Sequence, residues 1–304
     1  MTTLLGVEIR RLLSRRVVRL LFLLALLGIL VAGVTVFLRS SRESRASVLA
    51  GDPFLRREFE RCQAGEFEPV VPPGETEPVA DPTLDQCLDM MGVESPAFRL
   101  TDLDEILAGT SVPLIIVAWV IGATAIGAEW QKGTLQTMLT WEPRRLRLIA
   151  AKIVACGVVA AAGFVVLQFL LALALWPAAV WRGTTDGADS EWLVTLAGVL
   201  ARGGGVAVFA AAIGFSIAAI GRNTAAALGV GFLYISVIEG LVRGLRPQLI
   251  PWLVADNAAV FVTAEPSVVP ELGRSTAESG FLLLAYALVL AVAAAAFFKA
   301  RDVT

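Results

Sequence analysis

The chain has 304 residues, 57% of them hydrophobic and only 17% charged, with a mean hydropathy of +0.74 and a net charge of −2. A soluble domain carries about 25% charged residues, and here the apolar excess falls in blocks that match a helical crossing of a bilayer core roughly 30 Å thick, which excludes an ordinary soluble class. Histidine is absent, so a histidine base, a histidine-ligated zinc and a histidine proton relay are excluded as well.

Residues 1–16 read as an amphipathic interface helix. Leu5, Ile9, Leu12 and Leu13 form an apolar stripe, expected to lie opposite Glu8, Arg11, Ser14 and Arg15. The first span is 17–38; its apolar run is longer than a signal-peptide core and lacks a small-residue cleavage pattern. Residues 39–105 are too polar for a membrane and too long for a hairpin connection. They contain the tract GEFEPVVPPGETEPVADP, which reads as extended and partly mobile. Cys62 and Cys87 flank this tract. In an oxidising compartment they would close a disulfide worth about 3 kcal/mol by chain entropy; two free thiols are the alternative.

The second span is 106–128. The segment 129–152 follows and begins with a glycine-, lysine- and threonine-bearing stretch, GAEWQKGTLQTM from Gly127. A phosphate-binding loop requires lysine directly after its second glycine. Here Lys132 precedes Gly133, and the stretch leaves a span where a nucleotide loop would leave a buried strand. It is not a nucleotide site. Leu135, Met138 and Leu139 instead share a helical face bordered by Lys132, and Pro143 breaks this short helix and opens another into span three. The bland reading of Arg144, Arg145 and Arg147 is a positively charged anchor facing lipid.

Span three is 153–176 and contains Cys156, read as an inert apolar residue. Spans four and five are 203–221 and 223–242, with glycines (Gly203–Gly205, Gly214, Gly221, Gly229, Gly231) that suit close helix contacts or, equally, loose packing in an alanine-rich chain. Arg202, Glu239 and Arg243 lie toward the outer boundary, with Glu239 and Arg243 at ion-pair spacing. They are structural interface charges or parts of an outer gate. Residues 247–270 are too interrupted to span and read as short re-entrant or interfacial helices on the outer side. Span six is 279–298. The fold class is therefore an all-α polytopic membrane protein with six transmembrane helices. Residues 1–19, 129–152, 221–224 and 299–304 hold 13 basic residues against four acidic ones, whereas the segment 39–106 has seven arginines and 15 acids. Both termini are accordingly expected inside the cell. The arginine- and alanine-rich composition points to a GC-rich bacterial genome, hence a bacterial cell membrane.

With these elements in place, the chain resembles the permease subunits of type-2 ABC exporters. The shared pattern is an acidic residue after span two, then G-T-L, a proline, an arginine and a lysine, here Glu129, Gly133, Thr134, Leu135, Pro143, Arg144 or Arg145, and Lys152. The resemblance covers the topology; the large segment between spans one and two departs from the commonest pattern. It implies a non-catalytic subunit without a cofactor or metal of its own, ATP and magnesium being held by a separate cytoplasmic ATPase. It further implies that the N-terminal helix, with Leu5, Ile9, Leu12, Leu13 and Arg15, and the loop from Glu129 to Lys152, with Met138 and Leu139, meet that ATPase. A second permease copy or paralogue and membrane lipid are the other expected partners, and no nucleic acid. A secondary transporter driven by an ion gradient is the alternative. It calls for carboxylates at the bilayer centre, and Glu239 lies nearer the edge. Paired aspartates, a Ser/His set or a metal cluster for an intramembrane enzyme are not visible in the spans.

Overall fold

The computed structural model describes residues 2–42, 45–64, 87, 88, 91, 97–141 and 144–300. The described residues are mostly helical, with one isolated β-bridge, Arg99 to Thr184. The helices are α1 (Thr2–Ser14), α2 (Arg16–Arg39), α3 (Arg45–Gly51), α4 (Pro53–Gln63), α5 (Leu103–Gln131), α6 (Thr134–Trp141), α7 (Arg145–Arg182) and α8 (Ser190–Gly221). They continue with α9 (Thr224–Leu233), a π-helical turn (Tyr234–Ile238), α10 (Glu239–Leu245), α11 (Val254–Thr263) and α12 (Thr276–Ala300). Among the described residues, six helical stretches are long and apolar enough to cross a membrane: α2, α5, α7, α8, the continuous Thr224–Leu245 and α12.

Several of these helices outrun the spans expected from hydropathy. α7 has 38 residues, about 57 Å at 1.5 Å per residue, and α8 has 32, about 48 Å. A helix does not stop at the first charge. Arg145, Arg147 and Lys152 lie inside α7, and Glu191 and Arg202 inside α8, because arginine, lysine and glutamate are good helix formers. α8 begins where the Asp189 carboxylate accepts the Trp192 amide at 2.9 Å, and α9 where the Asn223 side chain accepts the Ala225 amide at 2.8 Å. Residues 247–270 do contain short helices, α11 between 3₁₀ turns. Pro143 and the tract at 65–82 lie outside the described residues, as does the side chain of Leu139.

The chain divides into two compact units. The first comprises residues 1–30, 103–172 and 189–304. Its centre is the contact of α5 with α8, where glycine lets backbones approach. A methyl group on Gly122 would collide with the Ala211 backbone, and one on Gly214 would lie 2.5 Å from the Trp119 carbonyl oxygen. Phe215, Ile126 and Ile121 are fully buried around this contact. Gln168 on α7, also fully buried, clasps α5 by donating to the Leu107 carbonyl at 2.8 Å and accepting from Thr110 at 3.1 Å. The glycines of the fourth and fifth spans divide by role: Gly203 faces the Phe164 ring and Gly231 the Trp119 ring, while Gly229 has open space.

The second unit comprises residues 31–102 and 173–188. Leu49 and Leu88 form a small core there with Leu55, Phe59 and Met91. Cys62 and Cys87 are joined in a disulfide, with Cα atoms 5.9 Å apart. Ser40 accepts the Phe98 amide at 2.9 Å and donates to the Arg182 carbonyl at 3.0 Å, and Leu100 donates to the Thr184 carbonyl at 2.9 Å. Cys156, in the first unit, is buried and unbonded.

Replacing Gly122 with alanine should cost about 1–3 kcal/mol, because helix backbone must move. The same change at Gly229 should be neutral or slightly stabilising by helix propensity. Thermal unfolding of the two variants in detergent checks this; equal behaviour would contradict the assigned crossing point.

Candidate functional site

In the first unit, the C-terminal end of α5, the start of α7, α1 and α6 meet around a cluster of charges. Lys152, 2% exposed, sits between two buried carboxylates. Its Nζ lies 2.8 Å from Glu8 Oε2 on α1 and 2.8 Å from Glu129 Oε2 on α5. Arg15, at the α1–α2 junction, closes the other side of Glu129 at 2.7 Å. It also donates to the Thr124 and Ala125 carbonyls, a favourable place for a cation near a helix C-terminus. Arg11 adds a longer pairing with Glu8 at 3.6 Å. Two carboxylates are thus matched by Lys152 and Arg15, as burial of charge requires.

This geometry corrects the expected polarity of α1. Glu8 is 4% exposed and lies on the packed face with Leu5, Ile9, Leu12 and Arg15, whereas Leu13 is 47% exposed. The spacing 5, 8, 9, 12, 15 is a regular inward stripe that an apolar-only reading splits. Glu8 was missed because its partner is 144 residues away in sequence.

The segment after α5 is organised by backbone geometry. Gly133 has φ +66°, a left-handed conformation that favours glycine, and it turns the chain out of α5 into α6. Leu135 is fully buried in the main core and Met138 packs against that core. Lys132, Thr134 and Arg144 are exposed, and Arg145 is half-buried. The Arg11 guanidinium reaches Met138 Sδ at 2.9 Å, joining α1 to α6. Beside them, Arg222 adopts φ 54° and stacks on the Trp130 ring at 4.6 Å, while Gln131 donates to Asn223 at 3.1 Å. These contacts bring the α8–α9 turn to the same end.

About 22 Å farther along the α9–α10 helix, Glu239 is fully buried. One carboxylate oxygen accepts the Val254 and Ala255 amides at 2.9 and 3.0 Å, capping the N-terminus of α11; the other pairs with Arg243 at 3.0 Å. Arg243 also makes a two-pronged bond to Asp256, at 2.9 and 3.1 Å. Arg202 stands apart from this pair: its Nε donates to the Val262 carbonyl near the other end of α11, at 3.1 Å. α11 is therefore tied to α10 at its N-terminus and to α8 at its C-terminal end. Asp256 and the buried Asn257 escaped the sequence reading; an acid and an amide side by side in an apolar stretch were the available signal. The π-helical turn just before Glu239 has no evident sequence marker. Among the described residues there is no cluster of three metal-ligating side chains.

Substituting Lys152 with methionine leaves Glu8 and Glu129 facing each other and should cost about 3–5 kcal/mol. The double variant E8Q/K152M keeps the Glu129–Arg15 pair and should be less destabilised. Thermal melts of the detergent-solubilised chain compare them, and equal losses would contradict the clustered arrangement.

Residues 88–237 are similar to a family described as ABC-2 family transporter protein. The match includes Glu129, Lys152 and all of α5 to α9; α1 and α11 lie outside it. No curated protein matches the chain significantly.

Proposed function

We propose, from the similarity of residues 88–237 to the ABC-2 family of transporter proteins, that the chain is the membrane subunit of an ATP-driven exporter. It works as a dimer, with a second copy or a paralogue, in a bacterial cell membrane with both termini cytoplasmic. It holds no cofactor; a separate cytoplasmic ATPase binds ATP and magnesium.

The observation that carries this reading is Lys152 between Glu8 and Glu129. α1 and α6 are the elements offered to the ATPase. α1 is joined to the bases of α5 and α7 by ions that are costly to separate, and α6 by Leu135 in the core. A push from the closing ATPase would then move the spans as well as the surface helices. Glu129, Lys152 and Arg15 act as internal linkage, whereas Lys132, Gly133, Thr134 and Arg144 are on the exposed side. At the other end, Arg202, Glu239 and Arg243 form an outer gate through α11, whose two anchor points lie on different helices. Tilting α8 against α10 would break one anchor and leave the other.

The test is purification with the ATPase encoded beside this chain, followed by ATP hydrolysis in nanodiscs. E129Q should retain the ATPase yet lower its stimulation by the permease about tenfold, the scale of a typical coupling energy. Hydrolysis by the purified chain alone, or transport driven by an ion gradient without an ATPase, would overturn the reading.

A further inference from the structure

We infer that the shared C-terminal end of α2 and α7 seats an anionic phospholipid, its phosphate held among Arg39, Arg42 and Arg182. The two helices stop at one point of the second unit, where the Ser40 hydroxyl donates to the Arg182 carbonyl at 3.0 Å. The Arg182 guanidinium lies over the Phe37 ring at 4.6 Å and reaches the Leu38 carbonyl at 3.5 Å. Arg42 donates to the Val180 carbonyl at 2.7 Å. Arg39 is exposed and, among the described residues, makes no ion pair and no side-chain hydrogen bond.

Neutralising helix ends uses only part of this charge. Each helix C-terminus is worth about half a negative charge, so two ends offset about one of the three cations. About two positive charges remain. Among the described residues, no acid pairs with these arginines. Asp102 is taken by Arg99 at 3.2 Å, and Asp186 accepts the Thr184 hydroxyl at 2.6 Å. A guanidinium carries five N–H donors in a planar fork, and most of those on Arg42 and Arg182 are left over.

The surface below the cations favours a lipid over a free anion. On α2, Val31, Val34 and Leu38 are exposed at i, i+3 and i+7, and on α7 Leu173, Trp176 and Val180 repeat the spacing. Each stripe is apolar and runs up to the arginines. Trp181, 66% exposed, packs edge-to-face with Phe37, and an indole favours the boundary between hydrocarbon and headgroups. Apolar stripe, aromatic ring and guanidinium follow one another along the helices, as acyl chain, glycerol and phosphate do along a phospholipid. Arginine binds phosphate oxygens in two-pronged bonds, which the ammonium of a zwitterionic headgroup opposes. In the orientation proposed above, this end meets the outer leaflet. The site itself requires only that α2 and α7 span a bilayer, whatever drives transport.

The experiment places a bimane fluorophore on Leu38→Cys, a position 65% exposed beside the arginines, in the full chain in nanodiscs. Cys62 and Cys87 are bonded to each other and Cys156 is buried, so the new thiol takes the label. The quencher is phosphatidylglycerol or phosphatidylcholine with a spin label near the glycerol end of one acyl chain. The expected result is half-quenching at an about fivefold lower fraction of the anionic lipid, the scale of one basic side chain near a lipid surface. In R39Q/R42Q the two curves should coincide, with an unchanged melting temperature to show that this variant is folded. R39Q alone, which removes no hydrogen bond, should already bring them closer. Coinciding curves in the labelled chain without these changes, or a gap that both variants leave intact, overturns the site. A gap that closes when inorganic phosphate is added at constant ionic strength overturns the lipid in favour of a free anion. Quenching by neither lipid takes this end out of the bilayer and overturns the site as well.

Discussion

A lysine ammonium buried among helices requires negative charge within hydrogen-bond reach, and Lys152 obtains it from two different elements. Glu8 and Glu129 each lie 2.8 Å from its Nζ. Desolvating any one of these groups alone would cost several kcal/mol, so the three hold their places together with Arg15. The consequence is positional: α1, the end of α5 and the start of α7 share one point. The rest of this end is built around that point, with α6 folded back over the core by Gly133 and the α8–α9 turn held by Arg222 on Trp130.

The two polar clusters of the first unit follow the same physical rule with different ends in view. Near α1, the ions join an amphipathic helix to the bases of spans. Near α11, Glu239 satisfies the free amides of a helix N-terminus and Arg202 a carbonyl near its C-terminus, both favourable to the helix dipole. The first cluster shares its charges among buried groups of three helices. The second anchors a short helix to two separate helices.

Much of this architecture was legible in the sequence. Uncharged runs located six crossings, and the G-T-L context located α6, because burial and turn geometry are local properties. The two cysteines bracketing one tract left a disulfide and two free thiols both open, and the pair is bonded. What was not legible depended on distant partners or on helices continuing past a charge. Glu8 looked like a surface residue until Lys152 supplied its counter-ion. α8 looked 13 residues shorter than its 32 (203–221 against Ser190–Gly221), since the uncharged run begins after Arg202 and the helix does not. Asp256, which completes the Arg243 pairing, sits in a segment whose apolar patches drew attention away from it.

The central claim is that α1 and α7 move as one body. Spin labels at Val7 and Leu146, both exposed, measure their separation in the complex by pulsed electron resonance. A single narrow distance, identical with and without ATP and broadened by K152M, is the predicted result. A wild-type distance that shifts when nucleotide binds would contradict the account.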